Sequence, residues 1–151
     1  MHNQLTQLQA FRAMIKFLDN YYEKKPSDDL GLLLGEMQLQ DDNKPADSAT
    51  WSYWIDSINK VTHQTNNQQN NASIDLHNTL SSLEIFKAMI DFLEVYRDQI
   101  KSDDIQVILN DLLLSSNNKI MNTMTKHKWL ESVNYILNDQ DPTYGYFQIF
   151  R

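Results

Sequence analysis

Two pairs of adjacent carboxylates, Asp28-Asp29 and Asp103-Asp104, are the residues of this chain best suited by type and spacing to do chemistry. Neighbouring carboxylates can hold a metal ion or grip a basic partner. Each pair also follows a serine, Ser27 or Ser102. A serine hydroxyl accepts a hydrogen bond from a first-turn amide, and acids in that turn face the positive end of the helix dipole, worth about 0.3–1 kcal/mol each. A helix start explains the serine and the acids together and is the expected role. Histidine adds little: His2, His63, His77 and His127 stand singly, without the i,i+4 spacing that a metal site on a helix needs. No Ser-His-Asp arrangement and no glycine-rich phosphate loop is visible. The residues point away from an enzyme, and no cofactor or metal is expected.

A second group is better suited to binding. Asp41, Asp42, Asp47, Trp51, Tyr53 and Asp56 lie in one stretch of the chain. Aromatic side chains supply contact area, and carboxylates supply complementarity to a cationic protein. The competing role puts Trp51 in the core and leaves the acids as solvated surface. Near the C-terminus, Asp141-Pro142-Thr143-Tyr144-Gly145 reads as a turn. Tyr146-Phe147-Gln148-Ile149-Phe150 then reads as a short extended aromatic segment. This tail either caps the helices or adds Tyr144 and Tyr146 to the partner-binding set.

The elements that must position these residues are written twice. Leu5 to Val61 aligns with Leu80 to Ile136 at a constant offset of 75, and 20 of the 57 positions are identical. A period this long makes each copy a supersecondary unit, and two such units share a core. In each copy a capping box opens the first helix, at Thr6-Gln7-Leu8-Gln9 and Ser81-Ser82-Leu83-Glu84, with Leu5 and Leu80 as staples just outside. Leu8, Phe11, Ile15, Leu18 and Tyr22 then fall on one helical stripe, as do Leu83, Phe86, Ile90 and Leu93. A second helix begins at each Ser-Asp-Asp. Gly31 and Gly35 within it suggest close helix packing. A third begins at Asp47-Ser48 or Asn122-Thr123 and carries Trp54 or Trp129. Polar loops, about 40–46 and 115–121, join the second and third helices. The expected fold is all-α: two tandem three-helix repeats, about 5–61 and 80–136, stacked into one domain spanning 1–151, with the aromatic tail. The Asn/Gln-rich stretch 62–73 reads as an exposed connector.

Bulk composition narrows the partner. A chain of 151 residues is long enough to bury a real core. It has no cysteine, which suits a reducing compartment such as the cytoplasm. No signal-peptide pattern and no run of about 18 apolar residues is visible. The net charge is −7, with −3 in residues 1–62 and −4 in 63–151. Such a chain is a poor ligand for nucleic acid and a good one for a basic protein. A monomer is expected when the chain is free.

Copy one carries Ala13-Met-x-x-Phe-Leu-x-x-Tyr-Tyr22, then Ser27-Asp-Asp-Leu-Gly-x-Leu-Leu-x-x-Met-x-Leu39, then Ala46-Asp-x-Ala-x-Trp-x-x-Trp54. These motifs resemble those of small immunity proteins of contact-dependent growth inhibition and related polymorphic toxin systems. Copy two departs from the pattern, with Gln106 for the glycine and Met121-Asn122 for Ala-Asp. The resemblance implies a bacterial cytoplasmic protein that binds a cognate toxin domain and occludes its active site. A basic nuclease-type toxin would complement the acidic charge. The alternative is a helical adaptor that binds a cellular protein or peptide.

Overall fold

The computed structural model describes residues 4–62 and 79–138. The connector beyond Thr62 and the aromatic tail, with Tyr144 and Tyr146, lie outside the described residues. The described elements are β1 (Gln4–Leu5), α1 (Gln7–Lys24), α2 (Asp28–Met37), α3 (Ser48–Thr62), β2 (Leu80–Ser81), α4 (Ser82–Ile100), α5 (Asp103–Asp111) and α6 (Thr123–Leu137). The fold is all-α, with six described helices and one short antiparallel ladder.

Both capping boxes form. The Gln9 amide donates to Thr6 Oγ1 at 3.1 Å, and the Thr6 amide to Gln9 Oε1 at 2.9 Å. Ser81 and Glu84 repeat this at 3.1 and 2.9 Å. The staple residues do more than flank the helices: Leu5 pairs with Leu80 and Gln4 with Ser81 in the ladder. Leu5 and Leu80 are equivalent positions of the two copies, so their antiparallel pairing relates the copies by a pseudo-two-fold axis rather than a translation.

The core obeys the same axis. Trp54 and Trp129 are both buried. Trp54 meets Phe11 of its own copy at 6.0 Å and Phe92 of the other at 5.9 Å. Trp129 meets Phe86 and Phe17, both at 5.7 Å. Helix α3 packs most extensively on α4, and α1 on α6. The third helix of each copy thus lies against the first helix of the other. The halves interlock, and neither triplet closes a core alone. One difference breaks the match. Trp129 Nε1 donates to the Ser82 carbonyl at 3.2 Å, whereas Trp54 Nε1 is buried without a partner.

The polar loops are tight hairpins. Leu39 bridges to Pro45, and Leu114 to Ile120. The Asn43 amide donates to the Gln40 carbonyl, and the Asn118 amide to the Ser115 carbonyl, each at 2.9 Å. Asn43 (φ 63°) and Asn118 (φ 62°) take the left-handed conformation that closes such a turn. Asparagine tolerates it better than most side chains, which accounts for its presence in both copies.

Two local expectations are corrected. Ser102 caps its helix, accepting from the Ile105 amide at 3.0 Å, but the Ser27 side chain makes no capping bond. The Ser102 hydroxyl donates to Asp29 Oδ2 at 2.6 Å, and the Asp29 amide donates to Asp104 Oδ2 at 3.2 Å. The acid pairs therefore tie α2 to α5 across the axis. Of the two glycines, Gly31 permits close packing, because a Cβ there would stand 3.2 Å from the Tyr22 ring. One at Gly35 would meet open space.

Candidate functional site

Residues 41–56 do not form one patch. Asp41 and Asp42 are exposed near the tip of the first hairpin, where Asp42 Oδ1 accepts the Lys44 amide at 3.0 Å. Trp51 turns the other way. It is half-buried and meets Phe11 edge-on at 5.3 Å, so it belongs to the margin of the core. Helical geometry accounts for the split: positions 51 and 53 are about 200° apart around α3. Tyr53 remains on the surface at 39% exposure. It borders two adjacent depressions, one shared with Asp47 and the other with Asp56.

The first depression is a groove of about 230 Å³ between α2, α3 and α4. Its carboxylates are Glu36 and Asp47. The Asp47 amide donates to the Glu36 carbonyl at 3.1 Å, which fastens the two residues side by side at the base of the hairpin. Asp47 Oδ1 accepts the Ala49 amide at 2.9 Å and starts α3. From the other copy, α4 supplies Tyr96 and Gln99, and Gln99 Nε2 donates to the Tyr53 hydroxyl at 3.1 Å. Buried Leu33 and Phe92 line its apolar part. Among the described residues no lysine, arginine or histidine lines this groove.

The electrostatics follow from that composition. Burial, and then the charge of Asp47, raises the pKa of the Glu36 carboxyl above its ordinary value of 4.5. The Tyr96 phenol is pushed up to about 12 by burial and by the nearby Glu36 and Asp29 carboxylates. Its hydroxyl oxygen is buried and has no hydrogen-bond partner. Leaving such a group unsatisfied costs about 1–3 kcal/mol.

The pseudo-two-fold axis places a second groove, of about 170 Å³, at the equivalent position on α1, α5 and α6. Asp111 stands where Glu36 does, Asn122 for Asp47, Lys128 for Tyr53, and Tyr21 for Tyr96. Lys24 and Lys25 replace Gln99 and Ile100. Here the tyrosine is satisfied: the Tyr21 hydroxyl donates to Asp111 Oδ2 at 2.8 Å. Among the described residues, two carboxylates and no base give the first lining a charge of −2. Three lysines and one carboxylate give the second +2.

Glu36, Tyr96 and Gln99 were not legible as site residues. Glu36 sits among the apolar positions of α2, and the other two come from the opposite copy. The available signal was the exchange of Gln99-Ile100 for Lys24-Lys25 between copies, which marks a face that the fold leaves free to vary. Among the described residues no group of three or more His, Asp or Glu could hold a metal ion, and no helix is long and apolar enough to cross a membrane. Comparison of the chain with protein-family models, with curated proteins and with solved structures finds no match.

Proposed function

We propose that this chain is a cytoplasmic immunity protein that binds a cognate cationic toxin domain and neutralises it by covering its active site. It performs no reaction itself. The observation that carries the reading is the acidic, aromatic groove at Glu36, Asp47, Tyr53 and Tyr96. Its symmetry mate has the opposite charge, so the acidity is a property of the sequence and not a requirement of the fold. Basic clefts that bind nucleic acid are complementary to such a surface, and long-range attraction speeds their encounter with it. The motifs of copy one add the resemblance to immunity proteins.

Co-expression with the product of the adjacent gene, followed by affinity capture and a growth assay, tests the reading. A stoichiometric complex and rescued growth are expected. Reversing Asp41, Asp42 and Asp47 to Lys should slow association, most strongly at low salt, since the Debye length shrinks from about 10 Å at 0.1 M to about 3 Å at 1 M. Capture of a cellular protein with no rescue of growth would replace the immunity reading with that of a helical adaptor.

A further inference from the structure

We propose that the groove between α2, α3 and α4 seats a single arginine side chain of the protein partner, its guanidinium between the Glu36 and Asp47 carboxylates and beside the Tyr53 ring. This deepens the reading of the chain as a toxin-binding protein and rests on it.

Size comes first. At about 230 Å³ the groove is smaller than the roughly 300–1,000 Å³ of small-molecule sites, and it suits one long side chain. Charge comes second. The charge of Asp47 acts against that of Glu36, and among the described residues no base lines the groove to offset them. A guanidinium presents donors in a planar fork that can serve both carboxylates and lie against an aromatic ring. An ammonium is a compact point charge and does neither as well. Leu32 and Ile100, both exposed on the groove's lining, offer the apolar surface that an arginine stem covers.

The internal symmetry supplies an independent observation. Tyr96 and Tyr21 are equivalent, yet only Tyr21 has a carboxylate partner; the Tyr96 hydroxyl is buried in the acidic groove with none. The fold therefore can satisfy this hydroxyl, and in the second groove it does. In the acidic groove the Tyr96 hydroxyl is left without a partner. The second groove, with Lys24, Lys25 and Lys128, repels the same ligand and serves as an internal control.

The test is an NMR titration of the full chain at low salt with N-acetyl-L-arginine N-methylamide. Saturable shifts are expected at the amides of Glu36, Asp47, Tyr53 and Gln99, with the lysine counterpart at least about threefold weaker and the neutral citrulline counterpart without effect. Glu36→Gln with Asp47→Asn should weaken arginine binding at least about tenfold. Asp111→Asn, in the other groove, should leave it unchanged. An equal response to citrulline, or undiminished binding by the double variant, overturns the proposal. Sedimentation of the chain alone adds one more route: dimers abolished by the same double variant would make a second copy's lysines the occupant and overturn it too. Failures at the two levels are separable. If the double variant neutralises the toxin as the parent does, the groove assignment falls and the binding function stands. If the arginine probe binds but no toxin does, the immunity reading falls and the groove assignment stands.

Discussion

The two grooves are built on one scaffold and charged in opposite senses. Each places a tyrosine of one copy's first helix against a carboxylate at the end of the other copy's second helix. In the basic groove the shorter Asp111 accepts the hydroxyl of Tyr21. In the acidic groove Tyr96 is left unpaired, and the charge of Asp47 helps raise the Glu36 pKa. A similar exchange occurs where the first and second helices of each copy meet. Tyr22 lies over Gly31 in copy one, and at the equivalent places Arg97 donates to Gln106 Oε1 at 2.7 Å. Such pairs show that the helices need contact at a point but not one chemistry there. Leaving the Tyr96 hydroxyl unsatisfied costs stability that the Tyr21 pairing does not.

The interlocking of the halves offers the largest test. A fragment of residues 1–62 should not fold, because the buried face of α3 lies against α4. Circular dichroism should show little helix, and a cooperative melt would mean that the copies are independent. Next come the tryptophans. Trp54→Ala and Trp129→Ala should each cost about 3–5 kcal/mol in urea unfolding. The phenylalanine variants should separate them: Trp129→Phe should cost about 1 kcal/mol more, because only it removes a made hydrogen bond.

The caps should differ as well. Ser102→Ala should lose about 1–2 kcal/mol, and Ser27→Ala a few tenths, since only Ser102 accepts a first-turn amide. The tyrosines follow. Tyr21→Phe should cost about 1 kcal/mol, and Tyr96→Phe should be neutral or stabilising, because its hydroxyl has no partner to lose. Equal costs at the two positions would mean that the grooves do not differ as described.

The smallest effect depends on pH. Glu36 titrates above its ordinary value of 4.5 in the folded chain, chiefly through burial and then through Asp47. Above pH 4.5 the folded state therefore holds this proton more firmly than the unfolded state. The stability it contributes is present below that pH and is lost as pH rises through the raised pKa. Glu36→Gln should melt higher than the parent at pH 7, and the gain should disappear below pH 4.5. No difference in melting at pH 7 would remove the charge repulsion on which the contrast between the grooves depends.

The sequence by itself determined the helices, but not the ladder that pairs Leu5 with Leu80. Capping boxes, apolar stripes, Ser-Asp-Asp starts and the N-cap residues Asp47 and Asn122 are local signals, set by hydrogen bonds and periodicity within a few residues, and they located all six described helices. It also determined the net charge and the differences between the copies. Tertiary structure decided how those differences assemble. Trp51 and Tyr53 are neighbours in the chain, but a helix sends them about 200° apart, one to the core and one to the surface. Asp47 and Tyr96 are 49 residues apart and line the same groove because α3 packs on α4 of the other copy. That pairing depends on burying Trp54 between Phe11 and Phe92, a long-range contact that leaves only apolar residues in the sequence and no sign of which helix they will meet.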